Sequence, residues 1–545
     1  MSAMTFEEKL KHCPAAEVWQ EYCGFLDLSL PEYMQIQKRL VMEQVELMAA
    51  CPLGKRLFKN GVPRNVEEFR TLVPLTRFED YADVLLPQRE EMLPAKPVVW
   101  LHTTWEGGDF PSKRAPYTES MLEAYTRNIL AAMILSTSKG RGQFHVRPGA
   151  RVLYSLAPMP YATGMFPDLI RPQIRLRFMP SVREARKMSF GQQTRLGYKL
   201  AVKHGMNLFF GMSSVLYGAT RNLDSLAGGG GGGGLRLLWG MSPRMLVRLL
   251  SALYRCRRDG THLRPRDLFK LDGFVCVGTD TALYKNELAD AWGIRPLELA
   301  GGTEPSCMGT ETWSKNGLVL FPDACFYEFI PEYEYIRELQ DPSYTPRTYL
   351  MDELVAGQKY ELVITVLKGG AFLRYRVGDV YRCLRLRNPE DQLDLPQFEY
   401  VDRIPTVIDI AGFTRITKRE IEKVITLSRL PIRHWFAVKE YDADGHSYLD
   451  LYVELDSDDP GAGTLTKQIL QEHLSLYFRS YDGDYKDLKR LLGMDPLRVS
   501  LLKSGVVDAY TARTGRRVPP VGAPREVVLD ILHLQDAAGE GGVAP

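Results

Sequence analysis

The sequence predicts an α/β fold, with a large N-terminal part built on mixed sheets and a small α+β domain at the C-terminus. Three observations predict it. Asp272–Gly278, Thr281–Trp292 and Arg295–Ala300 read as strand, helix and strand within about thirty residues, the length of a parallel βαβ unit. Short apolar segments at Phe326–Pro331, Tyr360–Leu367 and Gly378–Leu386 read as further strands. Beyond Arg403 the pattern shortens: a strand, a helix over Thr417–Leu427, strands at Trp435–Val438 and Tyr448–Glu454, and a helix over Thr466–Phe478. A domain boundary is therefore expected near Asp402–Pro405, giving domains 1–403 and 404–545.

Taken in order, the first ninety residues read as helices with short breaks. In Pro31–Ala50, Met34, Ile36, Leu40, Val41 and Val45 recur among charges at roughly helical spacing. After the charged stretch Pro74–Pro94, a strand at Val98–Leu101 runs into the polar, glycine-containing segment Thr103–Lys113. Arg151–Ala157 is a short apolar strand, followed by a loop over Pro158–Met165, and Gly205–Leu216 is a second apolar stretch. The consecutive glycines Gly228–Gly234 cannot hold a regular element, because their backbone entropy is too high. A phosphate cradle needs glycines at chosen positions beside a strand, so this homopolymer reads as a flexible surface loop.

Composition excludes several classes. The 545 residues are 45% hydrophobic and 25% charged, the profile of a globular protein. Lys plus Arg (69) nearly balance Asp plus Glu (67), which argues against nucleic acid as the main partner. The run Arg255-Cys256-Arg257-Arg258 reads as a solvated helix end. The eight cysteines are scattered, with no Cys-x-x-Cys and no histidine at metal-ligand spacing, so buried free thiols in a reducing compartment are expected. Met1–Leu10 mixes charges and has no apolar core, unlike a signal peptide. The longest apolar candidate, Met245–Tyr254, falls short of the ~20 residues a membrane span needs and is interrupted by arginine. The expected location is cytoplasmic.

Three segments carry chemistry. Ala300-Gly301-Gly302-Thr303-Glu304 follows a predicted strand, and ligands of open α/β sheets collect at the carboxyl ends of strands. Gly301 and Gly302 let the backbone approach a nucleotide, Thr303 offers a hydroxyl to a phosphate, and Glu304 can hold Mg²⁺ through oxygen. Alone, the pattern also fits a plain turn. In Arg374-Tyr375-Arg376-Val377-Gly378-Asp379, Asp379 at the end of a turn is suited to accept hydrogen bonds from both ribose hydroxyls; capping the turn is its structural alternative. Asp402-Arg403, followed by Asp409–Ile416 and Glu420-Ile421-Glu422, lies at the expected junction, where a hinge would be; by itself it reads as a hairpin and a helix start.

In this order and at these distances the segments resemble the adenylate-forming superfamily of acyl and aryl CoA ligases, luciferases and peptide-synthetase adenylation domains. The closer resemblance is to the acyl acid amido synthetase family, of the auxin-responsive promoter type. It is carried by Tyr360–Thr365 leading to Arg374–Asp379, by Phe326–Pro331, by Val73–Thr76 with Tyr81–Asp83, and by Gly505–Tyr510, and so covers nearly the whole chain. The resemblance implies an adenylation domain with mixed sheets and a small barrel, plus a mobile C-terminal domain that rotates between an adenylating and a transfer pose. It implies ATP and Mg²⁺ as cofactors, and a carboxylic acid and an amine, often an amino acid, as substrates, with transfer to coenzyme A as a variant. Thr303 would contact the α-phosphate and Glu304 the metal. Tyr375 and Asp379 would bind the nucleotide, Asp379 at the ribose, and Gly278 would pack its backbone against adenine. Arg403 stands where the family has an arginine just before the mobile domain, and Gly412 in the turn that swings into the site.

Two departures stand against this pattern. Thr103, Thr104, Gly108 and Lys113 match the family's phosphate loop, but Trp105 replaces a glycine and Glu106 a threonine, and an acid beside a triphosphate repels it. Near the C-terminus, Gly522 stands where the family has a lysine ahead of Pro524-Arg525; Lys503, Arg516 and Arg517 are nearby in sequence. The expected activity is that of an acyl-adenylate-forming ligase, with a degenerate, non-catalytic nucleotide or small-acid binder, or a scaffold, as the alternative. Ala157–Met165 and Gly205–Tyr217, rich in Met, Phe and Tyr, are expected to line a pocket for a hydrophobic or aromatic acid. His102 and His204 have no visible partner and read as structural.

Overall fold

Short β-branched and aromatic runs alternate with helices through the middle of the chain, and in the computed structural model they assemble one large mixed sheet. The structure describes residues 4–103, 110, 112–221, 240–279, 281–341, 343–404, 407–410, 414–442, 446–456, 460–481 and 496–540. It divides into two compact units, one from Met1–Thr103 and Lys113–Asp402, the other centred on Arg403–Pro545.

In the first unit a separate antiparallel pair, β1 (Val99–His102) and β2 (Arg114–Tyr117), precedes the large sheet. Strands β3 (Arg151–Ser155), β4 (Arg177–Met179), β5 (Leu208–Met212), β6 (Gly273–Val277) and β7 (Leu297–Gly302) form its parallel half, in the order β4-β3-β5-β6-β7. The expected βαβ unit is present: the helix Thr281–Trp292 links β6 to β7, and these pair in parallel. Leu153, Phe209, Phe274, Cys276, Tyr284 and Trp292 form a shared core, with Trp292 stacked on Phe269. Each such buried side chain contributes roughly 1.5–3 kcal/mol of transfer free energy.

The antiparallel half continues from β7 through β8 (Ser306–Glu311), β9 (Leu318–Leu320), β10 (Cys325–Pro331), β11 (Lys359–Val366), β12 (Tyr375–Arg385) and β13 (Gln397–Arg403), in the spatial order β7-β8-β9-β13-β12-β11-β10. Two elements differ from the sequence expectation. The strand expected to end at Ala300 runs on to Gly302 as β7, and β8 starts at Ser306, so the connection is only Thr303-Glu304-Pro305. Bare backbone at Gly301 permits this: a Cβ there would lie 2.3 Å from the Ser306 carbonyl oxygen. Strand β12 begins at Tyr375, three residues earlier than expected. Thr76 extends the pairing, its N–H donating to Arg374 O and its carbonyl accepting from Arg376 N–H, both at 2.9 Å. Asp379 therefore sits inside a strand and not at a turn's end. It lies in a bulge, where Glu361 pairs with Val380 but Val363 with Arg376, and Gly378 takes φ +83°.

The second unit holds the hairpin β14 (Val407–Ile410) and β15 (Thr414–Thr417), then the helix Lys418–Ser428. Its three-stranded sheet pairs β16 (Ile432–Tyr441) antiparallel with β17 (Ser447–Leu455), and β17 parallel with β18 (Leu497–Leu502). Both β16 and the helix Pro460–Tyr481 outrun their sequence expectations, since strand pairing and packing carry order past the apolar run. All eight cysteines are free, and among the described residues no helix is long and apolar enough to cross a membrane.

Candidate active site

The turn Thr303-Glu304-Pro305 leaves the carboxyl end of β7, the edge of the parallel half. Two tyrosines from distant elements hold it. Tyr117, the last residue of β2, donates its hydroxyl to Thr303 O at 2.5 Å. Tyr375, the first residue of β12, donates to Glu304 Oε1 at 2.9 Å. Both tyrosines are at most 1% exposed, and burial raises the Tyr117 phenol well above its ordinary pKa, so it acts as a neutral donor. Phe372 and Tyr81 pack the Tyr375 ring at centroid distances of 4.7 and 6.2 Å. The Tyr81 hydroxyl is fixed in turn by Thr76 and by the Leu373 backbone. The segments around Thr76 and Tyr81 thus brace the strand that carries Tyr375.

Lys113 completes a relay. Its Nζ donates to Tyr375 Oη at 3.4 Å, so an ammonium, a phenol and the buried Glu304 carboxylate follow one another. Placing a cation one hydroxyl away offsets part of the cost of burying that carboxylate. Thr103 and Lys113 are tied reciprocally: Lys113 N–H donates to Thr103 Oγ1 at 3.0 Å, and Thr103 N–H to Lys113 O at 3.1 Å. This pair fixes the two ends of the segment expected to cradle phosphates. Thr104, Trp105, Glu106 and Gly108 within it lie outside the described residues, as does Gly412.

Thr303 Oγ1 donates to His102 O at 3.3 Å, and His102 N–H donates to Pro160 O at 3.0 Å. Burial first, and then Arg114, push the His102 imidazole below its ordinary pKa, so it stays neutral near pH 7. Gly278 follows β6 with φ +127°, a conformation that favours glycine, and Thr281 Oγ1 donates to its carbonyl at 2.8 Å. Gly302 is less confined than Gly301: a Cβ there would lie 3.2 Å from Pro305 Cδ.

The structure brings Thr103, Lys113, Thr303, Glu304 and Tyr375 together. Gly301 owes its identity to hairpin closure. Asp379 is half-buried, four residues along β12 from Tyr375. Arg403 ends β13 and falls in the second unit. The arginines flanking Tyr375 are structural: Arg374 pairs through two nitrogens with Glu328 at 3.0 and 2.9 Å, and Arg376 with Glu361 at 2.8 and 2.6 Å. Sequence reasoning did not find Tyr117. Its partner lies 186 residues away, and Pro116-Tyr117 reads locally as the end of an apolar strand.

In the second unit, Gly522 has φ +70° and donates its N–H to Ala437 O at 2.9 Å. A lysine is strained in that left-handed conformation. Lys503 Nζ is engaged by the Gln535 carbonyl at 3.1 Å.

Comparison with known proteins agrees with this architecture. Residues 318–403, covering β9 to β13, match the GH3 family central domain. At TM-score 0.51 and 16% identity, the chain is similar in structure to the AtGH3.15 acyl acid amido synthetase in complex with 2,4-DB, over 92% of this chain and 93% of that one. At the same TM-score and identity it is similar to 2-hydroxyisobutyryl-CoA ligase in complex with 2-HIB-AMP and CoA, over 90% of this chain and 87% of that one. The mixed α/β fold, with its additional C-terminal unit, is similar to that of these two ligases. A search of curated protein sequences finds no match.

Proposed function

We propose that the chain activates a carboxylic acid with ATP, releasing pyrophosphate, and passes the acyl group from the acyl-adenylate to an amine. The observation that carries this is the Lys113–Tyr375–Glu304 relay on a turn at the edge of the parallel strands, where a cation, a fixed carboxylate and the Thr303 hydroxyl converge. Lys113 and Thr303 are suited to contact phosphate oxygens. Thr103, with Thr104 and Gly108, would hold the β- and γ-phosphates, Gly278, Gly301 and Gly302 would offer backbone to the nucleotide, and Asp379 would take the ribose. Glu304 is the residue to hold Mg²⁺, which when bound supplies charge neutralisation at the phosphates. Tyr375 would act through Glu304, its buried hydroxyl being turned to that carboxylate. Residues 1–403 would form the adenylating domain and 404–545 a domain that moves, with Arg403 at the junction. No enzyme nucleophile is required, because the acid's own carboxylate attacks phosphorus. The neighbours support the two half-reactions: one solved ligase holds an acyl-AMP with CoA, and the other is an amido synthetase. The proposed setting is the cytoplasm.

Acid-dependent exchange of labelled pyrophosphate into ATP tests this. Exchange with at least one member of a broad acid panel is the expected result; ATP binding without exchange across the panel would sink it. One observation favours a second reading, a nucleotide-binding protein without turnover: Gly522 occupies a left-handed position and carries no cation where the resemblance implies a lysine.

A further inference from the structure

The helix Pro243–Asp259 is apolar on two opposite sides. Met245, Leu249 and Ala252 face inward and are buried, with Cys256 packed against the same core. Two residues on from Met245 the helix has turned by about 200°. There Val247, Leu250 and Tyr254 form a second row at i, i+3 and i+7, and they are 63, 54 and 70% exposed, with Leu253 beside them. No other helix among the described residues exposes four large apolar side chains. A single exposed leucine is ordinary, whereas such a row on one helix marks an interaction surface.

Charge decides the partner. Arg244, Arg255, Arg257 and Arg258 are exposed around the row, and the helix's one acid, Asp259, is already paired with Arg258 at 2.7 Å. Arg248 is turned to the protein, donating to Leu268 O at 3.3 Å. A second copy on this face would set arginines against arginines, which repel. An anionic bilayer answers both features. Arginine stems lie along apolar surface while their heads reach phosphate, and tyrosine sits at the lipid–water boundary. The helix is too short and too charged to span, but it has the composition of one that lies in the interface. We propose that Pro243–Asp259 docks the chain reversibly on an anionic lipid surface. None of the residues of the candidate active site take part.

The test is co-sedimentation of the full chain with phosphatidylcholine vesicles, with and without phosphatidylglycerol. The chain is expected to bind the anionic vesicles at low salt, to release them as salt rises, and to ignore the neutral ones. A variant carrying Val247→Ser, Leu250→Ser and Tyr254→Ser, and a second carrying Arg255→Gln, Arg257→Gln and Arg258→Gln, should each weaken binding by about tenfold or more. Melting curves matched to the parent establish that both variants fold. The proposal is overturned by no binding to anionic vesicles, by equal binding to neutral ones, or by binding that neither variant alters. A dimer in size-exclusion chromatography that the serine variant abolishes also overturns it, since a second copy would then cover the row.

Discussion

Replacing Tyr375 by phenylalanine removes one oxygen and leaves the packing of the ring against Phe372 and Tyr81 in place. What is lost is the 2.9 Å donor to Glu304 and the 3.4 Å acceptor for Lys113. A hydrogen bond to a charged group contributes about 1.5–3 kcal/mol, and the Glu304 carboxylate is buried, so water replaces the donor poorly. Taking about 2 kcal/mol, and 1.36 kcal/mol per decade, kcat/KM for ATP in pyrophosphate exchange should fall about thirtyfold. A residue that only supports the fold would lower the melting temperature. A residue that positions a metal-holding carboxylate should in addition raise the Mg²⁺ concentration for half-maximal rate in the protein that stays folded. Exchange kinetics across a Mg²⁺ series, beside a thermal melt, separate the two. Parent-like ATP and Mg²⁺ dependence in a folded Tyr375→Phe protein would refute the reasoning.

Three further outcomes are expected. Glu328→Gln leaves the buried Arg374 guanidinium without its carboxylate and should cost about 3 kcal/mol, seen as a lower denaturation midpoint. Gly522→Lys puts a side chain at φ +70°, at a cost of about 1–2 kcal/mol; exchange should not rise, and a gain in rate would show that the lysine fits. Burial pushes the Lys315 ammonium down to about 8, below its ordinary 10.5. Between those values the unfolded chain binds more protons, so stability should rise with pH from about 8 to 10.5. Lys315→Met should therefore raise the melting temperature more at pH 7.5 than at pH 10.5, and an equal gain at both would contradict the assignment.

Much of the fold was legible because its signals are local. The run Phe274–Val277 and the helix Thr281–Trp292 carry their own periodicity, and these elements formed as expected. Boundaries failed where backbone pairing decided them. Nothing near Tyr375 announces that Thr76, about three hundred residues earlier, will pair beside it and extend the strand. Nor does Gly301-Gly302 announce that Gly301 serves hairpin closure as well as any ligand. Nor does Arg374-Tyr375-Arg376 announce that both arginines are consumed by buried glutamates.

By itself the sequence determined the α/β class, the order of the segments that carry chemistry and the residue types offered to a nucleotide, because each depends on neighbours within a few turns or strand lengths. Only the tertiary structure decided which of those residues meet. Thr303 and Glu304 are held by Tyr117 and Tyr375, one from well before the turn and one from well after it. A hydrogen bond depends on distance in space, and the folding of β2 and β12 around the carboxyl end of β7 sets that distance.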